Sequence, residues 1–212
     1  MISLTPGLAL DIDDTLCHTG VRIIAALQKE FGNPEGLTPE ELRIKYPHTS
    51  LIPYWNGPEH HIWKLELIET DKLYEGASII TNANHIIEKI NSIVPISCYI
   101  TARPEGTTEA SKRWLKRHNF PERPVISKPN SIAYEDGNKW KAQILHREYP
   151  KLLGIVDDNP GIVKALPENY KGTVFLYSHL AYDSETPIDV IPCETWDHVY
   201  KKITSLHPQS QP

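Results

Sequence analysis

Short apolar runs bounded by turn formers recur along the chain at residues 8–10, 96–101, 124–127, 152–156 and 173–177. Runs this brief, without strict polar alternation, predict buried strands of a parallel sheet. Between them, apolar side chains fall three and four apart. Ile23, Ile24, Leu27 and Phe31 predict a helix over 21–31, closed by Gly32. Thr38-Pro39-Glu40-Glu41 is a capping box with proline at the first helical position, and Pro47 ends the helix it opens. Residues 51–58 form a loop, from which Pro58 opens a helix with Ile62, Leu65 and Ile68 on one face.

Further helices are predicted over 77–93 (Ile79, Ala83, Ile86, Ile90), 107–118, 138–149, from Pro160 through Leu166, and 195–206. Asn119 suits a left-handed cap. Strands alternating with helices over short loops predict an α/β fold, a Rossmann-like doubly wound parallel sheet of about five strands. Residues 18–75 read as all-helical, an insertion between the first strand and the rest. The expected organisation is a core of residues 1–17 and 76–212 carrying a helical cap over 18–75. Residues 207–212 look like a frayed tail.

At 212 residues, 40% hydrophobic and 23% charged, the chain has ordinary globular composition and enough length for a sizeable core. A net charge of −5 gives no reason to expect a nucleic-acid partner, while a bound divalent cation would still admit phosphorylated small molecules. The three cysteines Cys17, Cys98 and Cys193 are far apart and lack a CxxC pair, so they read as reduced core thiols. No signal-like N-terminus and no stretch of membrane-span length is present, and a soluble cytoplasmic protein is expected.

The chemistry gathers at strand ends. Leu8-Ala9-Leu10 runs into Asp11-Ile12-Asp13-Asp14-Thr15, and acids placed there destabilise the fold unless something cationic meets them. Ligands of open parallel sheets bind at the carboxyl ends of strands. Two more predicted strands end in reactive groups, at Thr101 and at Asp157-Asp158. All would lie along one edge of the sheet, which points to a metal-assisted site.

The order DxDxT, strand-terminal Thr, Lys, strand-terminal DD resembles that of the haloacid dehalogenase superfamily of phosphotransferases, over nearly the full chain. The DxDxT form resembles the phosphatases; dehalogenases lack the second Asp, and transport ATPases replace it with Thr. The resemblance implies that Asp11 attacks phosphorus and becomes an aspartyl-phosphate. Asp13 then protonates the leaving oxygen and later deprotonates the attacking water. It implies Mg2+ held by the Asp11 carboxylate, the Asp13 backbone carbonyl and Asp157, with Asp158 direct or through water. Thr101 and a lysine would hold the phosphoryl oxygens. Lys141, early on its predicted helix, is the favoured lysine. Lys128, in Ser-Lys-Pro after the third strand, is its rival, and Lys139 stands third.

Bland readings stand beside these. Asp14 reads as a turn or capping acid, Cys17 as a buried inert thiol, and Arg103 either as a surface ion pair or as a substrate or loop contact. Tyr54, Trp55, His60, His61 and Trp63 could stack on a base or sugar, though aromatics at helical spacing are commonly core. The adjacent His60 and His61 diverge on a helix and do not suit zinc.

The expected function is a Mg-dependent phosphomonoester hydrolase acting on a small phosphorylated metabolite. Leu73-Tyr74-Glu75-Gly76-Ala77 and Ile100-Thr101-Ala102-Arg103 resemble nucleotidase-like relatives, including 5′(3′)-deoxyribonucleotidases, and suggest a nucleoside monophosphate. The alternatives are a phosphatase or mutase acting on a sugar phosphate, and a non-catalytic metal- or phosphate-binding module.

Overall fold

The computed structural model describes residues 4–46 and 48–208. Pro47 and residues 209–212 of the expected tail lie outside them. Strand β1 (Gly7–Leu10) is followed by helices α1 (Thr19–Phe31), α2 (Pro39–Lys45), α3 (Pro58–Ile68), α4 (Asp71–Glu75) and α5 (Ala83–Ile93). Then come β2 (Ile96–Pro104), α6 (Thr108–Arg117), β3 (Val125–Lys128), α7 (Gly137–Glu148) and β4 (Leu152–Asp157). The chain finishes with α8 (Gly161–Ala165), β5 (Thr173–Tyr177), β6 (Asp189–Cys193) and α9 (Trp196–Leu206).

The strands form one parallel sheet in the order β3-β2-β1-β4-β5-β6. It is a doubly wound, Rossmann-like parallel sheet, as expected of the sequence, with one strand more than the five anticipated. The chain leaves β1 towards one edge of the sheet and later returns to β4 on its other side. The carboxyl ends of β1 and β4 thus flank the switch point where such sheets bind ligands.

Alternation along the strands feeds two cores. Leu8 and Leu10 point to the face covered by α5, α6 and α9, with Ile87, Trp114 and Val199. Ala9, Cys98 and Ile100 point to the opposite face, under α7 and α8. Helices α1 to α3 bury a smaller apolar cluster of their own, around Ile24, Leu27, Leu42, Ile52 and Trp55. The capping box of α2 is present: the Thr38 hydroxyl accepts from the Glu41 amide, and the Glu41 carboxylate accepts from the Thr38 amide.

Three elements differ from expectation. The helix assigned to 77–93 begins only at Ala83. Before it the Ile80 amide bonds the Leu16 carbonyl (2.8 Å), and Asn82 takes a left-handed conformation. Tertiary pairing therefore overrides the periodic Ile79. Strand β2 continues past Thr101 to Pro104, so Thr101 lies within the strand. The missed strand β6 sits at the sheet edge and contains Pro192, which an edge tolerates because one side needs no ladder hydrogen bond.

Candidate active site

The chain turns sharply after β1. The Asp14 amide bonds the Cys17 carbonyl (2.8 Å) and the Leu16 amide bonds the Ile12 carbonyl (2.8 Å). Asp14 stands in the left-handed region, φ 53°, which aspartate tolerates better than most residues. This turn brings both Asp11 and Asp13 towards one cavity of about 210 Å³, whose walls include Arg43, Tyr74, Arg103, Tyr134, Lys141 and Asp158.

Asp11 is buried, and its Oδ1 accepts from Lys141 Nζ at 2.6 Å. The same ammonium donates to Asp157 Oδ2 at 2.9 Å. Asp157 is fully buried, and its Oδ1 accepts from the Asn159 amide (2.9 Å). Asp158 follows at the end of β4. Its Oδ1 accepts from the Thr15 hydroxyl (3.2 Å), whose oxygen in turn accepts from the Asp158 amide (3.1 Å). The final Thr of the DxDxT run therefore braces the second acid of the DD pair. Trp196 on α9 holds the loop from behind, its indole N–H bonding the Thr15 carbonyl at 3.0 Å.

One carboxylate oxygen from each of Asp11, Asp157 and Asp158 lies within 4.8 Å of the others, an arrangement able to hold a metal ion. Three acids and one ammonium leave excess negative charge in a buried place. Burial first, and then Asp157 and Asp13, push the Asp11 carboxyl up to about 7 despite the opposing Lys141. Burial and the neighbouring Asp157 and Asp11 likewise raise Asp158 well above the usual range. Burial works against the Lys141 charge, but Asp11 and Asp157 outweigh it and keep the ammonium protonated. An all-oxygen, over-acidic cluster suits a hard divalent cation.

Asp13 has different company. Arg103 Nε approaches both its oxygens (3.0 and 3.1 Å), and Arg103 Nη2 donates to Oδ1 at 2.8 Å. The Thr19 hydroxyl donates to Oδ1 at 2.5 Å and the Thr101 hydroxyl to Oδ2 at 3.3 Å. Burial opposes its ionisation, yet the Arg103 charge and hydrogen bonds, with Thr19, hold the carboxyl below the usual range. Two acids separated by one residue are therefore driven in opposite directions.

All four predicted groups, Asp11, Asp13, Thr101 and Lys141, lie in this network, as do Asp157 and Asp158. Lys128 does not: its Nζ donates to the Ile132 carbonyl (2.7 Å), in the loop after β3. Lys139 is exposed and does not line the cavity. Asp14 caps the first turn of α1 by accepting from the Gly20 amide (2.9 Å), and it also pairs with Arg43 of α2 at 3.1 Å. Burial pushes the Cys17 thiol up to about 12, so the reading as an unreactive core thiol fits. Arg103 is not a surface ion pair: it is buried, and it contacts the loop after β1 through Asp13 and Cys17.

Tyr54, Trp55, His60, His61 and Trp63 do not line the 210 Å³ cavity. Phe31 meets the His60 and Trp63 rings edge-on at 4.5 and 5.4 Å, and Trp55 packs in the cluster of α1 to α3. The same helical segment instead supplies Ile23, Arg43, His48, Thr49, Ile68 and Tyr74. No spacing rule singles these out, since what they share is a tertiary position. Thr15 and Thr19 had a weak signal, being hydroxyls beside the acidic run.

In sequence, no protein-family model and no curated protein matches this chain. Solved structures do resemble it. A Clostridium difficile protein provisionally assigned as a phosphatase superposes with a TM-score of 0.57 at 15% identity, covering 94% of this chain and 100% of that one. The L-2-haloacid dehalogenase of Xanthobacter autotrophicus matches with a TM-score of 0.55 at 11% identity, over 95% of this chain and 99% of its own. A haloacid dehalogenase-superfamily hydrolase of subfamily IA from Geobacter sulfurreducens PCA gives 0.54 at 10% identity, over 95% and 100%. The fold of this chain is that of the haloacid dehalogenase-type hydrolases.

Proposed function

We propose that the protein is a magnesium-dependent phosphomonoester hydrolase working through an aspartyl-phosphate on Asp11. The observation that carries this reading is the pair of unlike acids after β1: Asp11 against Lys141 and the acids of β4, and Asp13 against Arg103. A binding module needs no second acid with its own cationic partner. The Xanthobacter dehalogenase of the same fold holds chloropropionic acid covalently, in keeping with covalent catalysis.

In this mechanism an Asp11 carboxylate oxygen bonds to phosphorus while the ester P–O bond breaks. The departing oxygen takes a proton from Asp13. Water then attacks the phosphorus of the aspartyl-phosphate and gives its proton to Asp13, and the Asp11–phosphate bond breaks to free the carboxylate and inorganic phosphate. Asp13 is held ionised before substrate arrives. A phosphate dianion beside it opposes that charge and favours the protonated form needed in the first step. Lys141 neutralises Asp11 and holds a phosphoryl oxygen as charge moves. The Thr101 hydroxyl, on a long bond to Asp13, turns to the phosphoryl group as a second donor. Asp11, Asp157 and Asp158, with the Asp13 carbonyl, would hold magnesium, which when bound offsets the negative charge of acids and phosphoryl oxygens alike.

The helices between β1 and β2 serve in this reading as a cap that chooses the substrate. A nucleoside monophosphate is the first candidate. The 210 Å³ cavity takes the phosphate, and the nucleoside extends into an adjoining cavity of about 510 Å³, which shares Arg43 and His48 and adds Tyr177 and His179. The test is phosphate release from nucleoside monophosphates, sugar phosphates and an aryl phosphate, with and without magnesium. Release should require the metal, and Asp11→Asn should abolish it. Wild-type turnover by Asp11→Asn would sink the mechanism, and magnesium binding without release from any ester would favour a binding module.

A further inference from the structure

Arg103 lies two residues beyond Thr101 in β2, and its side chain has no solvent exposure. A guanidinium in such a place costs stability unless its donors are met. Nε and Nη2 grip Asp13, Nη2 also reaches Cys17 Sγ at 3.2 Å, and Nη1 donates to the Ser111 hydroxyl at 3.0 Å. Ser111 is itself fixed from α6, donating to the Thr107 carbonyl at 3.2 Å. The Tyr74 ring of α4 lies 4.2 Å from the guanidinium carbon, and its hydroxyl is tied to the Ile68 carbonyl at 2.7 Å. The fork therefore cannot turn without breaking hydrogen bonds to the loop after β1 and to α6 and losing its ring contact with α4. Lysine, a point charge on a flexible stem, cannot reproduce it.

We infer that Arg103 is a positioning residue of the reaction: it aims the Asp13 carboxylate at the leaving oxygen, from a seat built by Ser111, Cys17 and Tyr74. The inference rests on the hydrolase reading of Asp13 given above. Its consequence is selective. Proton transfer demands close alignment, so a misplaced Asp13 fails those esters whose leaving oxygen must be protonated. An alkyl phosphate is such an ester. The p-nitrophenolate of p-nitrophenyl phosphate departs as a stable anion and needs little help.

The experiment is single-turnover release of the alcohol or phenol, with magnesium and enzyme in excess. Asp13 also serves the later water attack, and this design counts only the first transfer. An alkyl phosphate and p-nitrophenyl phosphate are compared in wild type, Asp13→Asn, Arg103→Gln, Arg103→Lys and Ser111→Ala. Arg103→Gln should lower the maximal rate on the alkyl ester by about 100-fold or more, near the loss from Asp13→Asn, and on the aryl ester by less than about tenfold. Half-saturation should move little. Arg103→Lys should recover part of the alkyl rate. Ser111→Ala keeps the guanidinium and should show the same selective loss at roughly threefold to tenfold, which carries the test if Arg103→Gln does not fold. Equal losses on both esters, or an unchanged ratio in Ser111→Ala, would overturn the inference and leave the hydrolase reading standing. A shift confined to half-saturation would make Arg103 a substrate-binding group instead. No release by wild type from either ester would overturn the hydrolase reading itself, and the inference with it.

Discussion

Asp11, Asp157 and Asp158 crowd around one ammonium, and that imbalance has a thermodynamic signature. Asp11 moves from an ordinary 3.8 to about 7 on folding, so the folded chain binds its proton more tightly than the unfolded one. Its contribution to stability is fully present below pH 3.8 and is lost as pH rises through about 7. Asp158 shifts the same way, while Asp13 shifts the opposite way and its contribution is lost in acid. Urea unfolding of metal-free protein should therefore show stability falling between about pH 4 and pH 7, by up to about 4 kcal/mol from Asp11. Asp11→Asn should flatten that slope, and magnesium should restore more stability at pH 8 than at pH 5. A stability that rises over this window would contradict the charge assignment. The two lysines provide a second check. Lys141→Ala, which strips Asp11 and Asp157 of their counter-charge, should lower kcat by at least about 100-fold. Lys128→Ala cuts only bonds to loop carbonyls, so kcat should stay near wild type while the urea midpoint falls.

At the scale of elements, the site depends on how closely β4 lies against its neighbour. Gly154 in β4 has no room for a side chain, since a Cβ there would sit 2.1 Å from the Thr173 carbonyl oxygen of β5. Gly154→Ala should cost about 3 kcal/mol or prevent folding, as other overpacked positions do. Because β4 ends in Asp157, surviving protein should also bind magnesium more weakly, which titration calorimetry would register. Strand and helix patterns were readable where a whole face is buried: the two-sided apolar runs of β1, β2 and β4, and the stripe of α1, are direct consequences of burial. Strand β6 escaped because an edge strand with Asp189 and Pro192 needs neither a continuous apolar run nor a full hydrogen-bond ladder. The false first turns of α5 came from real periodicity at Ile79, which serves a pairing with Cys17 instead.

Across the whole molecule, α1 to α4 meet the acidic edge of the sheet through contacts that include polar links. Arg43 of α2 pairs with Asp14 at 3.1 Å and lies 3.9 Å from Asp158, while Tyr74 of α4 packs on Arg103. Arg113 of α6 reaches back to Asp71 and Glu75 at 2.9 and 2.7 Å. Arg43 also borders both cavities. Its ion pairs are partly exposed, so Arg43→Ala should change stability by no more than about 1 kcal/mol. If the substrate lies as proposed, KM for the preferred phosphate ester should nevertheless rise several-fold, because a cation leaves a wall shared by both cavities. A KM equal to wild type would remove Arg43 from the substrate's path.

What the sequence determined by itself was the acidic ends of β1 and β4. Strand length, buried faces and acids at the close of apolar runs are local properties, and parallel topology then obliges Asp11, Asp13 and Asp157-Asp158 to share one edge. The order along the chain, by its resemblance, also implies that Thr101 and a lysine join those acids. Tertiary structure decided what the order leaves open. The sequence favours Lys141 over Lys128 only narrowly, and the packing of α7 beneath β4 is what puts one ammonium between two carboxylates. For Arg103 the sequence leaves a surface ion pair and a substrate or loop contact both open, because no local rule buries an arginine; its partners come from the loop after β1, from α4 and from α6. Electrostatic roles depend on distances between residues remote in sequence, and those distances exist only once the chain is folded.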